Sequence, residues 1–263
     1  MNKVCVVIPM YGQEAYTRKC IELTIKNAGV PVDILVVDDG SPEPFKYENT
    51  MDQIVAVFRI PENTGYTNAQ NEGILWCGDM YEYIHCLNND TEPYPNFIKF
   101  LLDEMEKDKE IAIASSVRIY PKENLAELYG IDLIRGYQCV MKPEDLKDQV
   151  IECNWVPMCS SLVRTSIFRE LGVLNKQMRT HSSDLEYCLR VKIAQHKIVV
   201  VTRSQVIHHH EVTTKANNVT PEKDQRVLLE ILAGLNYQQF MSKIPLDAEQ
   251  KLYGKITFEL EKR

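Results

Sequence analysis

The feature that most constrains the fold is a regular alternation of short, β-branched apolar runs with longer amphipathic segments. The apolar runs have the length of strands, and the segments between them place apolar residues at helical spacing. Strands are predicted at Lys3–Ile8, Asp33–Val37, Gln53–Ile60, Tyr83–Asn88 and Ile111–Ile119, and helices at Tyr16–Asn27, 66–78 and Pro95–Lys107. This order predicts right-handed βαβ units, and therefore an α/β fold with a Rossmann-like, mostly parallel central sheet flanked by helices.

Three of these predicted strands end in polar clusters. The clusters are Tyr11–Glu14 after the first strand, Asp38–Ser41 after the second and Asn88–Asp90 after the fourth. In parallel α/β sheets, ligands bind beyond the carboxyl ends of the strands. We therefore expect the three clusters to converge on one edge of the sheet and to form the functional site.

The second half of the chain has a less regular pattern. Residues 121–150 are predicted to be mixed and loop-rich, and a strand and a helix near Arg164–Leu171 follow them. The next helix is predicted to begin with Ser182 or Ser183 as its cap, and two short strands lead from it to the histidines at 208–210.

The chain shows no repeat, low-complexity tract or linker, which predicts one compact unit. We expect a main domain at 1–214 and a C-terminal helical extension at 215–263, packed on the same unit. Helical patterns within the extension cover Pro221–Phe240 and Ala248–Lys262.

The charge balance and the cysteines restrict the class of protein. The chain has 37 acidic and 30 basic residues, a net charge of −7, which argues against general nucleic-acid binding. No apolar run approaches the roughly 18 residues of a membrane span, so we expect no transmembrane segment, while peripheral membrane contact stays open. The eight cysteines include no Cys-x-x-Cys pair, which predicts reduced, buried thiols in a cytoplasmic protein.

Five segments, in family order, resemble the motifs of the family 2 glycosyltransferases with a GT-A fold. They are VVIPMYGQEAYTRKCIELT, ILVVDDGS, NTGYTNAQNEGI, LNNDTEPYPNFI and SSDLEYCLRVKIAQHKIVVV with the following VIHHH. The strand end Asn-Asn-Asp-Thr is similar to that of the rhamnosyltransferase-like branch. The resemblance implies an inverting glycosyltransferase of the hexosyltransferase type. Such an enzyme moves a sugar from a UDP- or dTDP-sugar donor to a hydroxyl on a glycan, a lipid-linked molecule or another acceptor.

The resemblance implies a set of nucleotide-sugar-binding residues. They are Pro9, Tyr11, Asp39, Asn63, Gly65, Asn68, Asn88 and Asn89. Pro9 and Tyr11 match positions that pack the base and ribose, and Asp39 matches the position that accepts a hydrogen bond from the base imide. Asn63, Gly65 and Asn68 lie in a turn that leads into a helix, whose amino end can face the nucleotide. Without the resemblance, Asp39 fits a turn or a helix cap, and the aromatic ring of Tyr11 fits ordinary packing.

The resemblance also implies a divalent cation, Mn²⁺ or Mg²⁺, as cofactor. Asp90 matches the metal-binding carboxylate, and Asn88 and Asn89 match positions that face ribose or sugar hydroxyls. His208, with His210 as the second choice, matches a further ligand after the last strand. Read alone, Asn-Asn-Asp is more often a polar turn, and the histidines fit an exposed turn.

Asp184 matches the general base that removes the proton from the acceptor hydroxyl, and Ser183 replaces an acid of the family motif. Asp184 falls in the first turn of a predicted helix, where the helix dipole favours the carboxylate form. Glu186 is the competing carboxylate, but two residues along a helix turn it away, which favours a solvated or structural role. A capping role for Asp184 is the alternative.

Two other functions remain open at this stage. A sugar nucleotidyltransferase shares the metal–phosphate chemistry but usually carries a glycine-rich, basic signature that IPMYGQEAY lacks. A non-catalytic GT-A nucleotide-binding module would explain why Asn88 and Ser183 replace acidic residues of the family motifs. On the acceptor side, Met158-Cys159-Ser160 replaces smaller residues, and Trp155 fits either a sugar-stacking platform or the core.

Overall fold

The computed structural model describes residues 2–49, 55–132, 137–209 and 222–234. The helices are α1 (Glu14–Asn27), α2 (Tyr66–Cys77), α3 (Phe97–Lys107), α4 (Thr165–Leu171), α5 (Ser183–Ile193) and α6 (Glu222–Gly234). The strands are β1 (Val4–Met10), β2 (Val32–Asp39), β3 (Val55–Ile60), β4 (Tyr83–Leu87), β5 (Thr91–Pro93), β6 (Ile111–Tyr120), β7 (Leu125–Asp132), β8 (Tyr137–Met141), β9 (Val150–Glu152), β10 (Ser160–Arg164) and β11 (Lys197–His208).

The central sheet has the strand order β3-β2-β1-β4-β10-β6-β11-β5. Its first half, β3-β2-β1-β4, is parallel throughout, as the βαβ pattern predicts. In the second half β10 runs antiparallel between β4 and β6, and β6 pairs with β11 in parallel. The carboxyl ends of β1, β2 and β4 therefore lie along one edge of the sheet, next to the start of β10.

Both faces of the sheet are covered, and β1 shows how the sequence produces this. Every residue of β1 is buried, and alternate side chains point to opposite faces. Cys5 and Val7 pack in a core with α2, whereas Val4, Val6 and Ile8 pack in a second core with α1 and α3. A strand buried on both faces needs a continuous apolar run, which is what the sequence contains.

Helix α2 approaches β1 closely because residue 73 is a glycine. A Cβ atom at Gly73 would lie 2.3 Å from a methyl carbon of Val7, so any side chain there would push the helix away from the sheet. The packing around Gly73 therefore sets the distance between α2 and the sheet.

Three local predictions differ from the structure. Residues 121–150 contain an antiparallel hairpin, β7–β8, rather than mainly loop. The two short strands expected before the histidines are one strand, β11, which continues through a register shift between Val201 and Gln205. Ser182 occupies the capping position of α5 in a left-handed conformation, but its side chain makes no capping hydrogen bond.

Other expectations from composition can be compared directly. All eight cysteines are free and buried, as predicted. No helix among the described residues is long and apolar enough to cross a membrane. In the C-terminal region, α6 places Leu228 and Leu232 in the core shared with α5. The domain boundary at 214 and the helix predicted at 248–262 lie outside the described residues.

Candidate active site

The polar segments that follow β1 and β2 meet at the sheet edge. The backbone N–H of Gly12 donates to Ser41 Oγ at 2.9 Å, which joins the two segments. Asp38 is fully buried and accepts hydrogen bonds from the backbone of Ser41 and Phe45, together with an ion pair from Arg59. Asp38 is therefore the residue that organises this loop.

Asp39, the second acid of the pair, organises the turn before α2. Its Oδ1 accepts from the backbone N–H and hydroxyl of Thr64 at 2.8 and 2.7 Å. Its Oδ2 accepts from the N–H of Gly65 at 2.8 Å and from Asn63 Nδ2 at 3.1 Å. Burial raises the pKa of Asp39, and these hydrogen bonds act in the opposite direction. The structure thus joins the predicted nucleotide residues Asp39, Asn63 and Gly65 in one unit.

The turn itself depends on glycine and on a partner that the sequence motifs did not reveal. Gly65 has a φ of 95°, and a Cβ atom there would lie 2.4 Å from the Arg179 side chain. Arg179 donates from Nη2 to the carbonyl oxygen of Asn63 at 3.0 Å. Asn68 donates to the Thr64 hydroxyl at 2.9 Å. Pro9 is buried in β1.

The predicted Asn88-Asn89-Asp90 turn follows β4, and its members have different surroundings. Asn89 is buried and donates from Nδ2 to Thr17 Oγ1 of α1 at 3.0 Å, which anchors the turn. The backbone N–H of Asn88 donates to the Cys159 carbonyl at 2.9 Å, so the segment before β10 lies directly beside the turn. Tyr11, predicted to pack against the nucleotide, is half-buried after β1.

Asp90 and His208, two of the residues predicted to bind a metal, form a close pair. Asp90 Oδ1 lies 3.3 Å from His208 Nε2, and the two residues are only 7% and 9% exposed. Burial would raise the pKa of Asp90, but the hydrogen bond and charge of His208 outweigh it, and the pKa is lowered. His209 faces outward and pairs with Glu92 at 3.0 Å, and His210 lies outside the described residues.

The donor atoms beside this pair suit a hard or borderline divalent cation. Asn88 Nδ2 lies 3.4 Å from His208 Nε2, and Asn88 Oδ1 is buried without a hydrogen-bond partner among the residues that the structure describes. A carboxylate oxygen, an imidazole nitrogen and an amide oxygen are all ligands for Mn²⁺ or Mg²⁺. Within the described ranges, no group of three His, Cys, Asp or Glu residues could hold a metal. Oxygen atoms of a bound molecule would therefore have to complete the coordination of the cation.

Asp184 lies in the first turn of α5, as predicted, but its electrostatics differ from the expectation. Its Oδ1 accepts from the N–H of Leu185 at 2.8 Å. The expected effect of the helix dipole would lower the pKa of Asp184, whereas burial raises it. The expected lowering of the pKa was wrong. The position of Asp184 in the sequence indicates its place in the helix dipole, but it does not show that the fold removes water from around the carboxyl group.

The start of α5 is joined by hydrogen bonds to the start of α2, which brings Asp184 to the same edge of the sheet as the Gly65 turn. Thr67 Oγ1 donates to Ser183 Oγ at 2.9 Å, and the N–H of Thr67 donates to the Arg179 carbonyl at 3.1 Å. Glu186 is buried and forms an ion pair with Arg190 at 2.9 Å. Glu186 is therefore a structural partner within α5, in agreement with its predicted role.

Tyr66, the first residue of α2, is a site residue that sequence reasoning missed. It is half-buried, and burial raises the pKa of its hydroxyl well above the usual value. The nearby acidic groups of Asp184 and Asp90 add to this shift, so the phenol lies within electrostatic range of both carboxylates. The aromatic residue directly after the Gly65 turn was the available signal.

Burial shows the roles of Trp155 and of the large side chains at Met158 and Cys159. Trp155 is only 5% exposed and its indole ring lies against Gly130, where a Cβ atom would overlap the ring. Trp155 is therefore a core residue rather than a sugar-stacking platform. Met158 and Cys159 are also buried, so the larger side chains at these positions pack beneath the site.

Asp224 of α6 is a second residue that the motifs did not reveal. Its carboxylate accepts three backbone hydrogen bonds, from Arg179 at 2.9 Å, Thr180 at 2.7 Å and His181 at 2.8 Å. These residues lie immediately before α5 and carry the Arg179 side chain that supports the Gly65 turn. Helix α6 thus holds the segment that links the Gly65 turn to Asp184.

We expect Asp224→Ala to lower the stability of the protein by about 2 kcal/mol, because it removes a buried carboxylate that accepts three backbone hydrogen bonds. If the predicted transfer activity depends on Asp184, it should fall further than this loss of stability explains, since the segment before Asp184 loses its anchor. Thermal denaturation and transfer assays at a temperature well below the melting point measure the two effects. Glu230→Ala is the matched control, because Glu230 is exposed on the same helix and should change neither quantity. An unchanged melting temperature for Asp224→Ala would contradict the anchoring role.

The parallel half-sheet β3-β2-β1-β4, which continues into the mixed strands β10, β6 and β11 and is covered by helices, is the architecture of a GT-A-like fold. The crystal structure of GalNAc-T7 with UDP, GalNAc and Mn²⁺ has this fold, with a TM-score of 0.68 and 14% sequence identity. The similarity covers 92% of this chain and 50% of that chain. The predicted GT-A fold is therefore confirmed.

The model of glycosyl transferase family 2 matches residues 5–171, and the chain belongs to this family. An uncharacterized glycosyltransferase of Rickettsia typhi is 24% identical over 230 residues, which are 83% of this chain and 68% of that protein. The chondroitin synthase of Escherichia coli is 20% identical over 244 residues, which are 90% of this chain and 34% of the synthase. The chain thus spans about half the solved relative and a third of the synthase. The predicted enzyme class, glycosyltransferase, is confirmed at the level of the family.

Proposed function

We propose that the protein is an inverting glycosyltransferase that moves a sugar from a UDP- or dTDP-sugar to an acceptor hydroxyl with the help of a divalent metal. One observation carries the proposal. Around one edge of the sheet the fold gathers the turn held by Asp39, the pair Asp90–His208, and Asp184 at the start of α5. Each group has the chemistry for one part of the donor or acceptor, and Tyr66 lies within electrostatic range of both Asp90 and Asp184.

In this mechanism Asp184 is the general base. It takes the proton of the acceptor hydroxyl while that oxygen forms a bond to the anomeric carbon of the donor sugar. The bond between the anomeric carbon and the diphosphate oxygen breaks in the same displacement, which inverts the configuration. The raised pKa of Asp184 suits this role, since a base with a higher pKa accepts a proton more readily.

Asp90, His208 and Asn88 are the residues that we propose to hold the cation. When bound, Mn²⁺ or Mg²⁺ would neutralise the negative charge that develops on the departing diphosphate. GalNAc-T7, which shares the fold, was crystallised with UDP and Mn²⁺, and this supports a metal-dependent reaction with a UDP-sugar. The incomplete protein ligand set favours binding of the cation together with the nucleotide.

The finer assignments rest on the sequence. The strand end Asn-Asn-Asp-Thr supports a place near the rhamnosyltransferase-like members, and the proposed acceptor is a glycan, a lipid-linked molecule or another hydroxyl compound. The free, buried cysteines support a cytoplasmic reaction. Among the described residues, no group of three His, Cys, Asp or Glu side chains could hold a metal. This observation favours one alternative function, a nucleotide-binding module without turnover. Hydrolysis of a UDP-sugar assayed with and without Mn²⁺ separates the two functions, because only the enzyme releases sugar.

We expect UDP or dTDP to raise the melting temperature more than GDP or ADP does. Asp39 has only acceptor atoms when ionised, so the imide N–H of uracil or thymine could replace one of its present donors, the Asn63 amide at 3.1 Å, whereas an acceptor edge could not. A ligand present at about 100 times its Kd stabilises the native state by about 2.7 kcal/mol, so a thermal-shift panel resolves the preference. The four nucleotides, each with Mn²⁺, serve as controls for one another. Equal shifts for all four would remove Asp39 from base recognition.

A further inference from the structure

A chain of buried and half-buried polar side chains lies behind His208, on the side away from Asp90. Tyr120, the last residue of β6, places its hydroxyl 3.4 Å from His208 Nδ1. The same hydroxyl donates to Glu127 Oε2 of the β7–β8 hairpin at 2.8 Å. Glu127 in turn accepts from Arg118 Nε at 2.8 Å. The side chains of Tyr120, Glu127 and Arg118 connect the hairpin to the Asp90–His208 pair through hydrogen bonds.

The Arg118 end of this chain keeps Glu127 in its carboxylate form. The Arg118 side chain is only 2% exposed, and Nη2 donates to Gln138 Oε1 of β8 at 2.5 Å. Burial would raise the pKa of Glu127, but the charge and hydrogen bond of Arg118 outweigh it, and the pKa is lowered. An ionised carboxylate can only accept hydrogen bonds, so the proton between Tyr120 and Glu127 belongs to Tyr120.

This direction of donation determines what His208 can present to the site. The single proton of the Tyr120 hydroxyl points to Glu127, so toward His208 that oxygen acts as an acceptor. The Nδ1 atom of His208 must then carry the hydrogen of this contact, which leaves Nε2 as the ring nitrogen that can bind a cation. Nε2 lies 3.3 Å from Asp90 Oδ1 and 3.4 Å from the Asn88 side chain. Any proton on Nε2 lies toward the Asp90 carboxylate, and a divalent cation bound to both atoms would replace it.

We propose that Tyr120, backed by Glu127 and Arg118, is a positioning residue that fixes the tautomer of His208 and so sets the affinity of the site for a divalent cation. The inference deepens the proposed metal-dependent transfer and rests on it. Outer hydrogen-bond partners of a ligating histidine orient the ring and increase its basicity, and their loss typically weakens metal binding by about 10- to 100-fold. The β7–β8 hairpin then acts on the metal site through Glu127 without contacting the cation.

Tyr120→Phe is the sharpest test, because it removes one oxygen and leaves the Arg118–Glu127 ion pair in place. We expect the affinity for Mn²⁺ in the presence of UDP, measured from free Mn²⁺ by electron paramagnetic resonance, to fall by about 10- to 100-fold. Transfer at limiting Mn²⁺ should fall with this affinity and should recover as the Mn²⁺ concentration is raised, since Tyr120 does not contact the reacting atoms. Tyr94→Phe is the matched control: its ring is exposed, and the change should leave Mn²⁺ affinity unaltered.

A second readout is independent of the metal. Nitrogen-15 spectra of the histidine rings in the metal-free protein report the tautomer, and His208 should show hydrogen on Nδ1 in the parent and a mixture in Tyr120→Phe. Equal Mn²⁺ affinity and an unchanged tautomer in the variant would overturn the positioning role while leaving the proposed function intact. A parent protein that transfers sugar fully in excess EDTA would instead overturn the metal-dependent function, and the proposed effect on cation affinity with it.

Discussion

Asp184→Asn is expected to lower sugar transfer by about 100- to 10,000-fold, the usual contribution of a general base. The side chains are nearly identical in shape, and the amide oxygen can still accept the hydrogen bond from the N–H of Leu185. A base acts on the transition state rather than on bound donor, so UDP affinity and melting temperature should remain close to those of the parent. Steady-state transfer assays, UDP titration and thermal denaturation measure the three quantities.

The control for this experiment is Glu186→Gln, which changes the other carboxylate of the same helix. Glu186 is buried in an ion pair with Arg190, so its loss should reduce stability and should affect transfer much less. A parent rate for Asp184→Asn would place the base elsewhere, with Glu186 next in line. If Asp184→Asn unfolds the protein, Asp184 is structural and the mechanism loses its base.

A pH profile gives an additional measurement on the parent enzyme. Burial raises the pKa of Asp184, and a base acts only in its ionised form. Transfer should therefore fall as the pH is lowered through this raised pKa, where an exposed aspartate would still be ionised. The binding of UDP has no reason to follow the same curve.

Asp90→Ala is expected to reduce transfer by at least about 1,000-fold, because stabilisation of the departing diphosphate by a cation is worth several kcal/mol. The metal-dependent part of UDP binding should disappear with it, while binding of UDP without metal should change little. Calorimetric titration of UDP with and without Mn²⁺ gives both values. Since Asp90 is buried beside His208, thermal denaturation must accompany the assay to show that the variant is folded.

Glu92→Ala provides a nearby comparison for Asp90→Ala. Glu92 is two residues away but pairs with His209, the histidine that faces outward, so transfer and metal dependence should be preserved. Full activity of the parent in excess EDTA would contradict the metal role of Asp90. Equal losses in the two variants would indicate a general disturbance of the strand end rather than a ligand.

Most helices and strands and their order could be predicted from the sequence alone, because they depend on contacts between residues that are close along the chain. The apolar run of β1 and the helical spacing of α1 follow from local geometry, and βαβ connections have one preferred hand. Those rules also place the polar strand ends on one edge, so residues such as Asp39 and Asp90 could be selected as candidates before the structure was known. The family motifs added roles to these positions, which the proposed experiments test.

The hydrogen-bond partners of each carboxyl group could be seen only in the tertiary structure. Asp38 and Asp39 are adjacent in sequence, yet one anchors its own loop and the other holds a turn 25 residues away. The partners of Asp39 come from a different βα unit, and no local pattern records that contact.

The same limit explains why the sequence did not suggest residues such as Asp224 and Tyr120. Asp224 anchors backbone donors 43 to 45 residues earlier, and Tyr120 reaches His208 across 88 residues. The burial that raises the pKa of Asp184 also depends on distant segments, whereas the sequence showed only the position of Asp184 at a helix start. Hydrogen bonding and desolvation depend on which distant segments the fold brings together, whereas helix and strand patterns depend on the few residues along the chain that form each turn or pleat.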